Sequence, residues 1–210
     1  MTLNFTKIVT DKTKLRIPLR EVTLSEDDLK KLSEDMFQKL RMEGGVGLAA
    51  NQLGVNERVC VIKVKEPIFL VNPVIIESSA DYVIYYEGCL SFPNTKKKPK
   101  RTLRYKTVKV IADNYSGPLS FQPDNWEWTI PNSFWLDKGM LECVAVQHEI
   151  SHLNGDTIYE VLATPPIKIN ENLKHNRNDK VMFMNKSTGE TRFIKYKKGL
   201  LLLERGWEVV

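Results

Sequence analysis

The chain has 210 residues, 42% of them hydrophobic, and a formal net charge of +5 at pH 7, which fits one ordinary domain with a real core and a small appended unit at most. No apolar run approaches the length of a membrane span, the N-terminus lacks the apolar stretch of a signal peptide, and three cysteines are too few for a disulfide framework. Secreted and membrane-inserted classes are thereby disfavoured, and a cytoplasmic protein with reduced thiols is expected.

After a short extended lead-in, Ser25-Glu26-Asp27-Asp28 reads as a capping box. It opens a helix whose apolar stripe is Leu29, Leu32, Met36, Phe37 and Leu40, ending near Glu43-Gly44-Gly45. The next segment is Gly45-Val46-Gly47-Leu48-Ala49-Ala50-Asn51-Gln52. Its small residues let a backbone approach a ligand closely. Its glycine spacing is neither that of a dinucleotide loop nor that of a phosphate loop.

Residues 59–64, 68–76 and 82–86 read as strands, with a turn at Lys65-Glu66-Pro67. The third strand runs into Glu87-Gly88-Cys89-Leu90-Ser91-Phe92-Pro93, where a cysteine stands in a polar, glycine-flanked setting. Cys60 and Cys143 read as ordinary buried cysteines. The run Lys96-Lys97-Lys98-Pro99-Lys100-Arg101 has no interleaved aromatic residues and reads as a solvated loop, with contact to RNA or an acidic surface the weaker alternative. Further strands are predicted at 103–112 and within 119–130, around Trp126 and Trp128.

His148-Glu149-Ile150-Ser151-His152 carries the chemistry. Two histidines four residues apart project from one helix face and can reach one metal ion. Glu149, rotated by about 100°, can approach a reacting water without being a ligand. Leu141, Val144 and Ala145 precede the pair at helical spacing, Asp137 can cap the helix, and Asn154-Gly155 can end it.

A third ligand is required. Ile158 stands where a third histidine would follow at the spacing of one known metal-site pattern. Glu160 and Glu171 exist, but Ala163-Thr164-Pro165-Pro166 interrupts any continuous helix. His175, Cys60, Cys89 and Cys143 remain as soft donors, and Cys89 stands out by its setting. Beyond the prolines, 181–185, 191–196 and 200–204 read as strands, with Ser187-Thr188-Gly189-Glu190 as a hairpin turn.

These segments together resemble the peptide deformylases, metal hydrolases that remove the formyl group from the N-terminal methionine of new proteins. The likeness is carried by Gly45 to Gln52, Glu87 to Ser91 and Gln147 to His152, in that order. The resemblance implies an α+β fold, with antiparallel or mixed sheets packed around a central metal-binding helix and an N-terminal helix beside them. It implies a catalytic domain at 1–160, and 161–210 is then a β-rich extension expected to pack on it.

By resemblance, Cys89, His148 and His152 are the metal ligands, and Glu149 is the general base and acid. The Gln52 amide and the Leu90 backbone N–H would stabilise the oxyanion. Gly45, Val46, Gly47, Glu87, Gly88, Leu141, Val144 and Ala145 would bind substrate, while Leu48, Ala49 and Ala50 are packing. Two imidazoles and a thiolate suit Fe(II) or Zn(II). The resemblance favours Fe(II), with Zn(II), Ni(II) or Co(II) as replacements. The expected partners are a formyl-Met peptide and the ribosome, with no membrane, no specific nucleic-acid sequence, and a monomeric state.

The chain departs from the family in three places. Ser151 stands where an aspartate is usual, residues 115–135 look like added material, and the tail reads as strands where many bacterial members end in a helix. Two other readings compete: a metallopeptidase using His148, His152 and a glutamate such as Glu171 as third ligand, and a basic ribosome- or nucleic-acid-binding protein with a structural metal.

Overall fold

The computed structural model describes residues 5, 7–125, 137–161, 180–185, 191–195 and 207–209. It divides into two compact units, Met1–Thr164 and Pro165–Val210. In the first unit a one-turn helix α1 (Lys12–Leu15), which the sequence did not announce, is capped by Asp11 and buries Leu15.

Helix α2 (Glu26–Glu43) opens at Ser25, whose hydroxyl oxygen accepts from the Asp28 N–H at 3.2 Å. It closes on Gly44 at φ 67°, a left-handed conformation that glycine adopts without strain. Its buried residues Leu32, Met36 and Leu40 fall four apart and pack on Leu48, Val59, Val61 and Val71.

Those partners belong to a sheet of order β1-β2-β3, made of β1 (Gly47–Ala49), β2 (Val59–Lys63) and β3 (Pro67–Val71). In β2, Val59 and Val61 join the cluster with α2, whereas Cys60 and Ile62 join a second cluster with Cys143, Val146 and Ile150. A strand buried on both faces has to be apolar, which is why Val59 to Ile62 form an uninterrupted apolar run that ends where Lys63 is exposed.

Helix α3 (Lys138–Leu153) covers that second face and packs on β2, β1 and β8 (Leu119–Phe121). It is buried around nearly its whole circumference, as a helix lined with apolar residues on several faces must be. Asp137 caps it, accepting from the Met140 N–H at 2.8 Å. At the other end the Leu19 N–H donates to the Leu153 carbonyl at 2.9 Å, and the Asn51 amide donates to the His152 carbonyl at 2.7 Å. Gly155 follows at φ 83°, where a Cβ would lie 2.6 Å from the Arg16 carbonyl oxygen.

Two predicted strands are each divided. The run 68–76 breaks at Asn72-Pro73, where Asn72 takes φ 50° and holds the Val22 N–H at 3.0 Å, so that β4 (Val74–Ser78) leaves the first sheet. The run 103–112 breaks at Lys106-Thr107. There β6 (Lys100–Tyr105) ends its pairing with β5 (Tyr82–Glu87), and β7 (Val108–Ile111) pairs instead with β4 and β8. The Lys106 N–H donates to Asp81 O, and the Thr107 N–H donates to the Ser79 hydroxyl, which fixes that corner. All described ladders are antiparallel.

The second unit holds a sheet of order β10-β9-β11, from β9 (Lys180–Asn185), β10 (Thr191–Lys195) and β11 (Trp207–Val209). The first two match the predicted strands, while β11 was not anticipated. Trp126, Trp128, Pro165-Pro166, Glu171, His175, the turn at 187–190 and the strand at 200–204 lie outside the described residues, as does most of the added material at 115–135 beyond Asn125.

Candidate metal centre and active site

Helix α3 presents His148 and His152 side by side, with ring centroids 5.0 Å apart. Cys89, in the turn that follows β5, brings Sγ to 3.3 Å from His152 Nε2. One donor atom from each of Cys89, His148 and His152 lies within 4.8 Å of the other two, and all three residues are buried. Thiolate plus two imidazoles at this separation fits a single divalent cation.

Cys89 is held by its own loop. Thr95 folds back so that its hydroxyl oxygen accepts from the Cys89 N–H at 2.9 Å, and Phe92 N–H closes the turn on the Cys89 carbonyl at 3.0 Å. By contrast, burial pushes the Cys143 thiol up to about 12, and burial together with nearby Glu149 raises Cys60 well above its ordinary value. Both therefore remain protonated, apolar core groups. Glu160 is engaged elsewhere, accepting from the Thr157 N–H at 2.9 Å and pairing with Arg16.

Glu87 sits behind the histidine pair. Its Oε2 lies 2.6 Å from His148 Nδ1, and Arg104 grips it twice, Nε to Oε1 at 2.7 Å and Nη2 to Oε2 at 2.9 Å. Thr102 adds a hydroxyl. Burial opposes the charge, but the Arg104 guanidinium and His148 hold the Glu87 carboxyl well below the usual range. With Nδ1 occupied, His148 turns Nε2 toward the metal group.

Arg104 reaches further, donating from Nη1 to Ser151 Oγ at 3.0 Å, while the Ser151 hydroxyl donates to the Gln147 carbonyl at 2.7 Å. Ser151, where the resemblance leads one to expect an aspartate, thus still meets the arginine, as a neutral acceptor. Gln147 ties the helix to β6 by accepting from the Tyr105 N–H at 2.9 Å and donating to the Tyr105 carbonyl at 3.0 Å.

A cavity of about 300 Å³ opens beside the cluster. Gly45, Val46, Gly47 and Gln52 line it on the β1 side; Glu87, Gly88, Cys89 and Leu90 line it on the β5 side; and Leu141, Val144, Ala145, His148 and Glu149 line it from α3. Every predicted substrate-binding position is in this lining, although the Glu87 carboxylate is turned to His148 and Arg104. Tyr85, Tyr86 and Lys96 line it too; the sequence offers Lys96 only within the basic run read as a solvated loop, and it singles out neither the tyrosines nor Arg104. Arg104 lies 17 residues from Glu87, and only strand pairing brings the two together.

Gln52 accepts at Oε1 from the Ala49 N–H at 2.9 Å, which turns its amide nitrogen to Ser91 Oγ at 3.2 Å and Cys89 Sγ at 3.6 Å. Burial pushes the Glu149 carboxyl up to about 7, and its Oε2 is buried with no hydrogen-bond partner among the described residues.

The polypeptide deformylase family profile matches residues 5–166. A peptide deformylase of Pseudoalteromonas translucida is 33% identical over 159 residues, covering 74% of this chain and 83% of the relative. One of Heliobacterium modesticaldum is 37% identical over 142 residues, covering 67% and 82%. The chain belongs to the peptide deformylase family. The crystal structure of the Thermotoga maritima peptide deformylase superposes with a TM-score of 0.60 at 29% identity, over 77% of this chain and 98% of that one.

As a peptide deformylase the chain acts on formylated peptides, removing the formyl group from nascent polypeptides with a divalent metal. The metallopeptidase alternative would draw its third ligand from Glu171, outside the described residues, and would leave Cys89 without a role. The family match ends one residue beyond Pro165, where the second unit begins.

Proposed function

We propose that Cys89, His148 and His152 hold the metal and that Glu149 moves the proton in hydrolysis of the N-terminal formyl group. The observation that carries this reading is the convergence of three buried donors beside a cavity into which a carboxylate without a hydrogen-bond partner on Oε2 also faces. Bound there, a divalent ion supplies Lewis acidity, lowering the pKa of water and polarising the formyl carbonyl.

The protein's groups do the rest. Glu149 takes a proton from the attacking water and returns it to the departing amine. The Gln52 amide nitrogen, aimed by the Ala49 N–H, and the Leu90 N–H donate to the oxyanion; losing one such donor typically costs about 3 kcal/mol in barrier. Leu141, Val144 and Ala145 take the methionine side chain, with Val46 at the opposite wall.

Strands β1 and β5 each stand at the end of their sheet and flank the cavity. An extended peptide can therefore add along either edge, with Gly45 and Gly47 offering backbone groups to it. Glu87 we assign to orienting His148, and Gly88 to backbone contact with substrate.

We assign Fe(II) as the working ion, with Zn(II), Ni(II) or Co(II) able to replace it, because two imidazoles and a thiolate accept any of these. We further infer a monomer acting in the cytoplasm near the ribosome, where formylated chains emerge. In support, no helix among the described residues is long and apolar enough to cross a membrane. Purification without oxygen, metal identification and a formate-release assay on formyl-Met peptides test the reading. Glu149→Gln should keep its metal and lose nearly all turnover; wild-type turnover in that variant would remove Glu149 from the mechanism.

A further inference from the structure

Lys96 lies in the cavity lining, and of the charges there it alone belongs to an exposed residue. Glu87 is buried against Arg104 and His148, and Glu149 is buried as well, whereas Lys96 is open to solvent. Its ammonium is anchored: Nζ donates to the Glu43 carbonyl at 3.3 Å, at the last residue of α2, where exposed helix carbonyls favour a cation. Its backbone is anchored too, because the preceding residue, Thr95, is bonded through its hydroxyl to the Cys89 N–H. Consecutive Cα atoms lie about 3.8 Å apart, so Lys96 is one residue from a direct contact with the metal-group cysteine.

The Glu43 carboxylate pairs with Lys39 at 2.7 Å, and residues 91–112 contain no aspartate or glutamate. Lys97 and Lys98 add exposed positive charge beside it. Clustered positive charge at the exposed part of a cleft raises the local concentration of anionic groups there. A formylated substrate has lost its N-terminal ammonium, so the side chains that follow methionine are what this field meets first.

We propose that Lys96 is a specificity-determining residue that selects formylated chains carrying aspartate or glutamate within the first few residues after methionine. The proposal rests on the deformylase reading. An RNA-docking role would draw on the same basic run, but it would not require one of its lysines to line the substrate cavity, and that placement favours the peptide.

The test compares formate release by the metal-loaded wild type and Lys96→Glu. The substrates are formyl-Met peptides that are neutral, or that carry one glutamate or one lysine at the second, third or fourth position. The wild type should favour the best glutamate peptide over its lysine counterpart by about threefold in kcat/KM, the scale of a solvent-exposed ion pair. The difference should lie in KM and shrink with added salt. Lys96→Glu should reverse the order. A merely structural role, holding the Glu43 carbonyl, would change all peptides alike and would overturn the proposal. So would a wild type that ranks glutamate and lysine peptides equally, or a variant that loses binding to an RNA oligonucleotide while its peptide ranking stays unchanged. Absence of turnover on the neutral peptide by wild type would instead refute the deformylase reading, and the proposal with it.

Discussion

Glu149 fills the space that a side chain at residue 47 would occupy: a Cβ on Gly47 would lie 2.3 Å from Glu149 Oε1 and 2.9 Å from its Cγ and Cδ. Gly47 pairs with Ile62 in the β1–β2 ladder and has no positive φ, so alanine suits its backbone. What alanine displaces is the carboxylate. Gly47→Ala should therefore keep its metal and its fold while kcat falls on the order of a hundredfold, the scale of a lost general base. Metal analysis and thermal melting beside formate release check this, and an active Gly47→Ala enzyme would mean that Glu149 can work from another position.

Ser151 meets Arg104 as a neutral acceptor at 3.0 Å. An aspartate there would place a second carboxylate, after Glu87, on the same buried guanidinium and stiffen the support behind His148. Ser151→Asp should hold its metal about tenfold more tightly, the lower range of effects seen when groups behind metal ligands are changed. Release of metal into a chelator measures it, and equal rates in the two proteins would show that the hydroxyl already suffices. Arg104→Leu should act in the opposite sense, since it strands the Glu87 charge and breaking such a buried pair costs about 3–5 kcal/mol.

Asp137 ties the start of α3 to the preceding loop, accepting from Met140, Asp124 and Asn125 N–H groups at 2.8, 3.0 and 3.0 Å. Burial opposes its ionisation, but those backbone donors win and lower its pKa. Asp137→Ala should cost about 1–2 kcal/mol at neutral pH, as lost N-caps do. A folded pKa below the unfolded one means that the stabilisation is complete above the ordinary aspartate pKa of about 3.9 and disappears as pH falls through the lower folded value. Urea midpoints of wild type and variant should thus stay apart from pH 7 to about 5 and converge below about 4. A gap that persists unchanged into stronger acid would assign the effect to packing.

Every described residue of the cavity and metal group falls within Met1–Thr164. A chain ending at Thr164 should therefore release formate from short formyl-Met peptides at near the wild-type rate. Its melting temperature reports whether the tail supports the catalytic unit. Ribosome sedimentation reports whether the tail is a docking element. Loss of peptide turnover with metal still bound would mean that the second unit contributes to the site.

Local physics made much of this protein legible from its residues. The spacing of Leu32, Met36 and Leu40, the caps Ser25 and Asp137, and the four-residue interval between His148 and His152 are properties of short windows, and a helix imposes its periodicity on such windows whatever surrounds it. Cys89 could be suspected from its polar, glycine-flanked turn. The breaks at Asn72-Pro73 and Lys106-Thr107 were harder to see, because β-rich runs look alike whether a strand continues or changes sheet.

Tertiary structure alone decided what stands behind and around the metal group. Arg104 reaches Glu87 and Ser151 because β6 pairs with β5 and Gln147 ties β6 to α3; no interval in the chain encodes that meeting. Gly47 owes its lack of a side chain to a glutamate about a hundred residues away, and Lys96 belongs to the cavity only because Thr95 folds back onto Cys89. These are contacts between elements, set by which faces pack and which edges pair, and they exist only once the chain has closed.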